Sequence, residues 1–88
     1  MNTETYLNHP NFGLLYRVCL LGDNQGIFTT LYAQRLFFLV KMSAEGISFE
    51  SISRSDARLL IEQRLRKLRL ERSMDEYNIL YPLYQQMF

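Results

Sequence analysis

Apolar and polar positions along the chain change their period once, near Ser53. Before that point short apolar runs alternate with turn signals. GLLYRVCLL (13–21) is followed by GDNQG (22–26), then by IFTTLYAQRLFFLVKM (27–42), SAEG (43–46) and ISFESI (47–52). Runs rich in β-branched and aromatic residues that close on Gly, Asp or Asn are strand and hairpin signals. The run from Ile27 to Met42 is too long for one ordinary strand, so a break is expected near Ala33 and Gln34. That predicts four or five short strands, enough for a small antiparallel barrel and too few for a sandwich.

After Ser53 the period becomes helical. Ser53 stands as N-cap with Asp56 three residues on, a weaker relative of the capping box, and Ala57, Leu60, Ile61, Leu65 and Leu68 recur at spacings of three and four. Arg58, Glu62, Arg66 and Arg69 fall on the opposite face, the first three spaced for i,i+4 pairing. SMDE repeats the start signal as a full capping box, Ser73 with Glu76, and Tyr77, Leu80, Tyr81, Tyr84 and Met87 or Phe88 form a second apolar stripe. Pro82 interrupts it, a defect of about 3 kcal/mol in a helix interior, so a kink or an early end is expected there. The short linker makes the two helices an antiparallel hairpin. The chain divides into a β-barrel over 1–53 and a C-terminal helical hairpin over 54–88, an α+β fold.

LYAQRLFFLV (31–40) holds more apolar side chains than one strand face can carry. Alternation from Tyr32 puts Gln34, Leu36 and Phe38 on its side, with Ala33, Arg35, Phe37 and Leu39 on the other. Two arrangements satisfy this. One face lies beneath the helical hairpin, or Tyr32, Leu36 and Phe38 form an exposed patch ringed by Gln34 and Arg35, the composition of a protein interface.

Composition narrows the function classes. The chain has 88 residues, 48% hydrophobic and 22% charged, with six Tyr, six Phe and no Trp, which is the profile of a globular domain with a limited core. The net charge of +1 divides into −1 over residues 1–53 and +2 over 54–88, and neither half is basic enough to imply nucleic-acid binding. The basic run RLRKLRLER (64–72) reads as a solvated helix face, with an electrostatic contact to an acidic protein or to phosphates as its rival. No stretch approaches the roughly 20 apolar residues of a membrane span, and MNTETYLNHP lacks the features of a signal peptide; the cytoplasm is the expected compartment.

Candidate chemistry is sparse. His9, the one histidine, lacks the partners of a metal or triad site and reads as a capped turn residue before Pro10. Cys19, the one cysteine, reads as a buried inert thiol. GDNQG lacks the lysine and helix start of a phosphate loop and reads as a hairpin turn. Tyr6, Phe12 and Tyr16 read as packing across the barrel, with an interface role as the rival reading. None of this points to an enzyme.

YLNHP (6–10), FGLLY (12–16), LYAQRLFFLV (31–40), RLR (64–66) and EYN (76–78), in this order and spacing, resemble the cyanobacterial PII-interacting protein X (PipX) family end to end. The resemblance implies a Tudor-like, SH3-type antiparallel β-barrel followed by two helices, and a non-enzymatic adaptor and coactivator of nitrogen regulation. It further implies that one barrel surface binds the signalling protein PII when 2-oxoglutarate is low and ADP prevails, or NtcA, a CRP-type transcription activator, when 2-oxoglutarate is high. Tyr32 would be the central anchor, with Gln34, Leu36 and Phe38 beside it, Arg35, Glu4 and Tyr6 as polar or peripheral contributors, and Arg69 as an addition from the helix. The effectors 2-oxoglutarate, ADP and ATP would be bound by the partners, leaving this chain without a cofactor. RNA polymerase is a further expected partner through the helices, with no direct DNA contact, and the free protein is expected to be a monomer. A small SH3-like nucleic-acid-binding or polymerase-associated module is the alternative.

Overall fold

The computed structural model describes residues 6–22, 24–30 and 36–88. The elements follow in chain order as β1 (Tyr6–His9), β2 (Gly13–Leu20), β3 (Gln25–Thr30), β4 (Phe37–Ser43), β5 (Gly46–Ile52), α1 (Arg54–Leu70) and α2 (Met74–Met87). The strands form one antiparallel meander, β1-β2-β3-β4-β5. β1 was not foreseen as a strand. Its sequence YLNH has little strand character of its own, and it is recruited by pairing with β2, Tyr6 opposite Tyr16 and His9 opposite Gly13. Gly13 (φ +76°) and Gly46 (φ +125°) hold the reversed backbone of the β1–β2 and β4–β5 turns, where a side chain would be strained.

The sheet is curled. In a flat sheet β1 and β5 would stand about 19 Å apart across four strand spacings. Here the ring of His9, at the end of β1, lies 4.8 Å from the ring of Phe49 on β5. The result is an open half-barrel followed by two helices, the α+β architecture expected. The curl is sharpened at a β-bulge. Arg17 pairs with Phe28 and Cys19 with Ile27, so Val18 is an extra residue that puts two successive side chains, Val18 and Cys19, into one cluster.

Strand alternation then supplies two cores. The concave face buries Leu15, Phe28, Phe38 and Val40, with Leu7, Leu36, Met42 and Phe49 packed around them. The convex face contributes Val18, Cys19, Ile27 and Phe37 to a second cluster, completed by Ala57, Ile61, Leu65 and Leu68 of α1 and Leu80 and Met87 of α2. Burial pushes the Cys19 thiol up to about 12, the inert group expected.

The helix signals are realised unevenly. Ser53 caps α1, its hydroxyl accepting from the Asp56 N–H at 3.0 Å. α1 ends in a Schellman motif, Ser73 N–H to the Leu68 carbonyl and Arg72 N–H to the Arg69 carbonyl, with Arg72 in the left-handed region at φ 58°. The expected Ser73–Glu76 capping box does not form. The Ser73 hydroxyl makes no cap bond, its N–H being used by the turn before it, and the Glu76 carboxylate accepts instead from Arg64 at 3.3 Å. Nor does Pro82 end α2, which continues to Met87. Pro82 and Asn78, whose carbonyl it leaves without a helical donor, both lie on the exposed face, where the lost bond costs least, while buried Leu80 and Met87 hold the segment in place. Tyr81, placed in the apolar stripe by its spacing, is 39% exposed and stacks between Tyr77 and Tyr84 on the flank of the helix.

The hairpin is fastened by polar contacts as well. The Tyr84 hydroxyl and Arg58 both donate to the Glu62 carboxylate, holding its carboxyl below the usual range. The Arg54 guanidinium donates to the Met87 carbonyl and lies 4.9 Å over the Phe88 ring, which itself stacks on Phe37 at 5.5 Å. Among the described residues no helix is long and apolar enough to cross a membrane.

Candidate functional site

The candidate surface centres on the connection between β3 and β4, and its frame is fixed by consecutive threonines. The Thr30 N–H donates to the Leu36 carbonyl and the Leu36 N–H donates back to the Thr30 hydroxyl, both at 3.2 Å, while the Thr29 hydroxyl donates to the same carbonyl at 2.8 Å. Thr29 and Thr30 are buried, so these bonds satisfy hydroxyls that would otherwise be costly to bury. Five residues, Leu31 to Arg35, join the two sides of this closed neck. Tyr32, Gln34 and Arg35, together with Glu4, lie outside the described residues.

Leu36 is half-buried and leans on the concave core, at the rim of the neck. Phe38 is a correction. Expected in an exposed patch, it is 2% exposed, because it pairs with Phe28 inside the curl and is roofed by Phe12 at 5.5 Å and His9 at 5.1 Å. It is a floor beneath the neck and offers no surface of its own. The other face of the stretch behaves as the hairpin arrangement requires: Phe37 and Leu39 belong to the core under α1 and α2.

The register brings Tyr6 to the same end of the sheet. Tyr6 pairs with Tyr16 and Tyr16 with Thr29, two strand spacings or about 10 Å in all. Tyr6 is 55% exposed and does not pack across the barrel, whereas Phe12 does, through Phe38 and His9. Arg69 is set apart. α1 starts beside the Ile52–Phe37 pair, at the end of the sheet that carries the neck, and Arg69 lies fifteen residues further along, about 22 Å at helical rise. Its guanidinium is 5.9 Å over the Tyr77 ring. Thr29 and Thr30 were missed by reading the residue pattern alone. The signal available was a pair of β-branched hydroxyl residues immediately before an abrupt aromatic run.

His9 behaves as a turn cap, its Nδ1 accepting from the Asn11 N–H at 3.0 Å and the Phe12 N–H at 3.3 Å. Among the described residues no group of three or more His, Cys, Asp or Glu side chains is placed to hold a metal ion. What the described part of the site offers is a hydrogen-bonded neck over an aromatic floor with an exposed tyrosine to one side, an arrangement suited to contact.

Residues 3–88 match the family model described as PipX: PII-interacting protein X. Comparison with curated proteins gives no match.

Proposed function

The chain belongs to the PII-interacting protein X family, and from that premise we propose that it is a non-enzymatic adaptor binding PII through the β3–β4 end of its half-barrel. The family match over nearly the whole chain carries this reading. The geometry supports its location. The neck formed by Thr29, Thr30 and Leu36 has its hydrogen bonds already paired, and Phe28 and Phe38 beneath it cannot yield without opening the core. Pre-organisation of this kind lowers the ordering cost of association. Tyr32 is the anchor in this reading, Gln34, Arg35 and Leu36 its neighbours in sequence, and Glu4 and Tyr6 the flank. Phe38 acts as support, and Arg69 is a remote contributor on the hairpin.

The same surface serves the activator NtcA, so the two partners exclude each other. This chain needs no effector site for such a switch. PII and NtcA bind 2-oxoglutarate and adenine nucleotides, and each effector acts through the difference in affinity of its own protein's states for this surface. By reciprocity, an adaptor that prefers the 2-oxoglutarate-loaded activator also tightens effector binding to it, which is coactivation without chemistry. A cytoplasmic monomer whose helices reach RNA polymerase completes the reading.

The test is a binding assay of the purified chain against PII and NtcA at low and high 2-oxoglutarate, with ADP or ATP present. Wild type is expected to exchange partners, and Tyr32→Ala to weaken both contacts at least tenfold, an anchor-sized loss of about 1.4 kcal/mol or more, with an unchanged circular dichroism spectrum. Loss of one contact alone would mean two separate sites and would end the shared-surface proposal.

A further inference from the structure

We propose that His9 is a proton-operated latch that holds the β1–β2 turn across the open end of the half-barrel. Its Nδ1 accepts from two backbone donors, Asn11 N–H at 3.0 Å and Phe12 N–H at 3.3 Å. A ring nitrogen that accepts is unprotonated, so the imidazole is neutral with its proton on Nε2. The same ring is packed on three sides, 5.0 Å from Phe12, 5.1 Å from Phe38 and 4.8 Å from Phe49. It thereby connects the turn after β1 to β4 and to β5, the far edge of the meander.

A second proton converts Nδ1 from acceptor to donor and leaves three N–H groups aimed at one point. The ring must turn to relieve this, and turning it breaks the contacts with Phe38 and Phe49. No compensating carboxylate waits for the cation among the described residues. The three rings facing it are neutral. Lys41 and Glu50, the charged residues of β4 and β5, alternate onto the opposite face from Val40 and Phe49. On β1 and β2, Tyr6 and Tyr16 pair on that other face and Cys19 lies in the convex core. Arg17 is four positions along β2 from Gly13, the partner of His9, or about 13 Å. Protonation therefore detaches the turn and uncovers Phe38, the floor beneath Leu36. This inference rests on the fold alone and stands or falls separately from the identity of any partner.

The experiment is a nuclear magnetic resonance titration of the full chain across the histidine range, from about pH 8 to about pH 5. The amide shifts of Asn11 and Phe12 and the loss of Phe12–Phe38 and His9–Phe49 ring cross-peaks are expected to follow the His9 ring proton with one midpoint. His9→Asn supplies a side-chain carbonyl that accepts from the same turn amides and does not titrate, so its Phe12–Phe38 cross-peaks are expected to persist at both ends. Wild-type cross-peaks that survive complete titration of His9 would overturn the proposal, as would their equal loss in His9→Asn. Should the variant fail to fold, the wild-type titration decides by itself.

Discussion

The two cores of this small protein are built by different rules. The concave core is made by strands alone: Leu15, Phe28, Phe38 and Val40 come from β2, β3 and β4, and the curl of one sheet encloses them. The convex core is a joint structure, with Ile27 and Phe37 from the sheet meeting Ile61, Leu68, Leu80 and Met87 from the helices. The helical hairpin is thus a cover for an apolar sheet face as well as an element after the barrel. A sheet whose strands are oily on both faces cannot fold as a stable unit with one of them in water.

The strongest way to break this distinction is to remove residues 54–88. The remaining chain is expected to lose cooperative urea unfolding, because the convex residues Ile27 and Phe37, 0% and 2% exposed in the whole protein, would face solvent. A sharp transition in the truncated chain would show the concave core to be self-sufficient. Next in size are Phe28→Ala and Phe37→Ala, each expected to cost about 3–5 kcal/mol in chemical denaturation. They should differ in hydrogen exchange. Phe37→Ala removes the ring on which Phe88 stacks and should speed exchange through α2 more than through β1, whereas Phe28→Ala should do the reverse.

The convex core also holds the titratable probe of the comparison. Cys19 is neutral when folded up to about 12, against an ordinary 9.0, so the unfolded chain releases this proton first. Stability is unaffected by the thiol below pH 9 and falls as pH rises from there towards 12, by at most about 1.4 kcal/mol per unit. Denaturation of wild type and Cys19→Ala side by side should show the extra alkaline loss in wild type alone. The smallest effect lies outside both cores. Arg72→Gly relieves a left-handed residue at the end of α1 and should raise stability by about 1 kcal/mol, read as a shift in the urea midpoint.

Much of this was legible in the residues. The stripe Ala57, Ile61, Leu65 and Leu68 marks the buried face of α1 directly, since helical spacing and burial are one signal there. The break expected near Ala33 and Gln34 falls outside the described residues, between the end of β3 at Thr30 and the start of β4 at Phe37. β1 escaped notice because its stability comes from a neighbour and its own residues carry little strand signal. Ser73 and Glu76 misled for a related reason: a capping box is a local possibility, and Arg64, twelve residues away, offers Glu76 a charged donor. Phe38 shows the limit at the candidate site. Alternation assigns side chains to faces but cannot say which face is concave, and curvature was what turned an expected contact residue into a floor.

Tyr77, Tyr81, Tyr84 and Phe88 stack successively along α2 and end against Phe37 on β4. Because the chain contains no tryptophan, this column supplies half of its six tyrosines to the near-ultraviolet signal while leaving the red edge, where only tryptophan absorbs, empty for whatever binds it. Coupling among the three phenols therefore provides an intrinsic gauge of how the second helix is seated in the free protein, readable without a label.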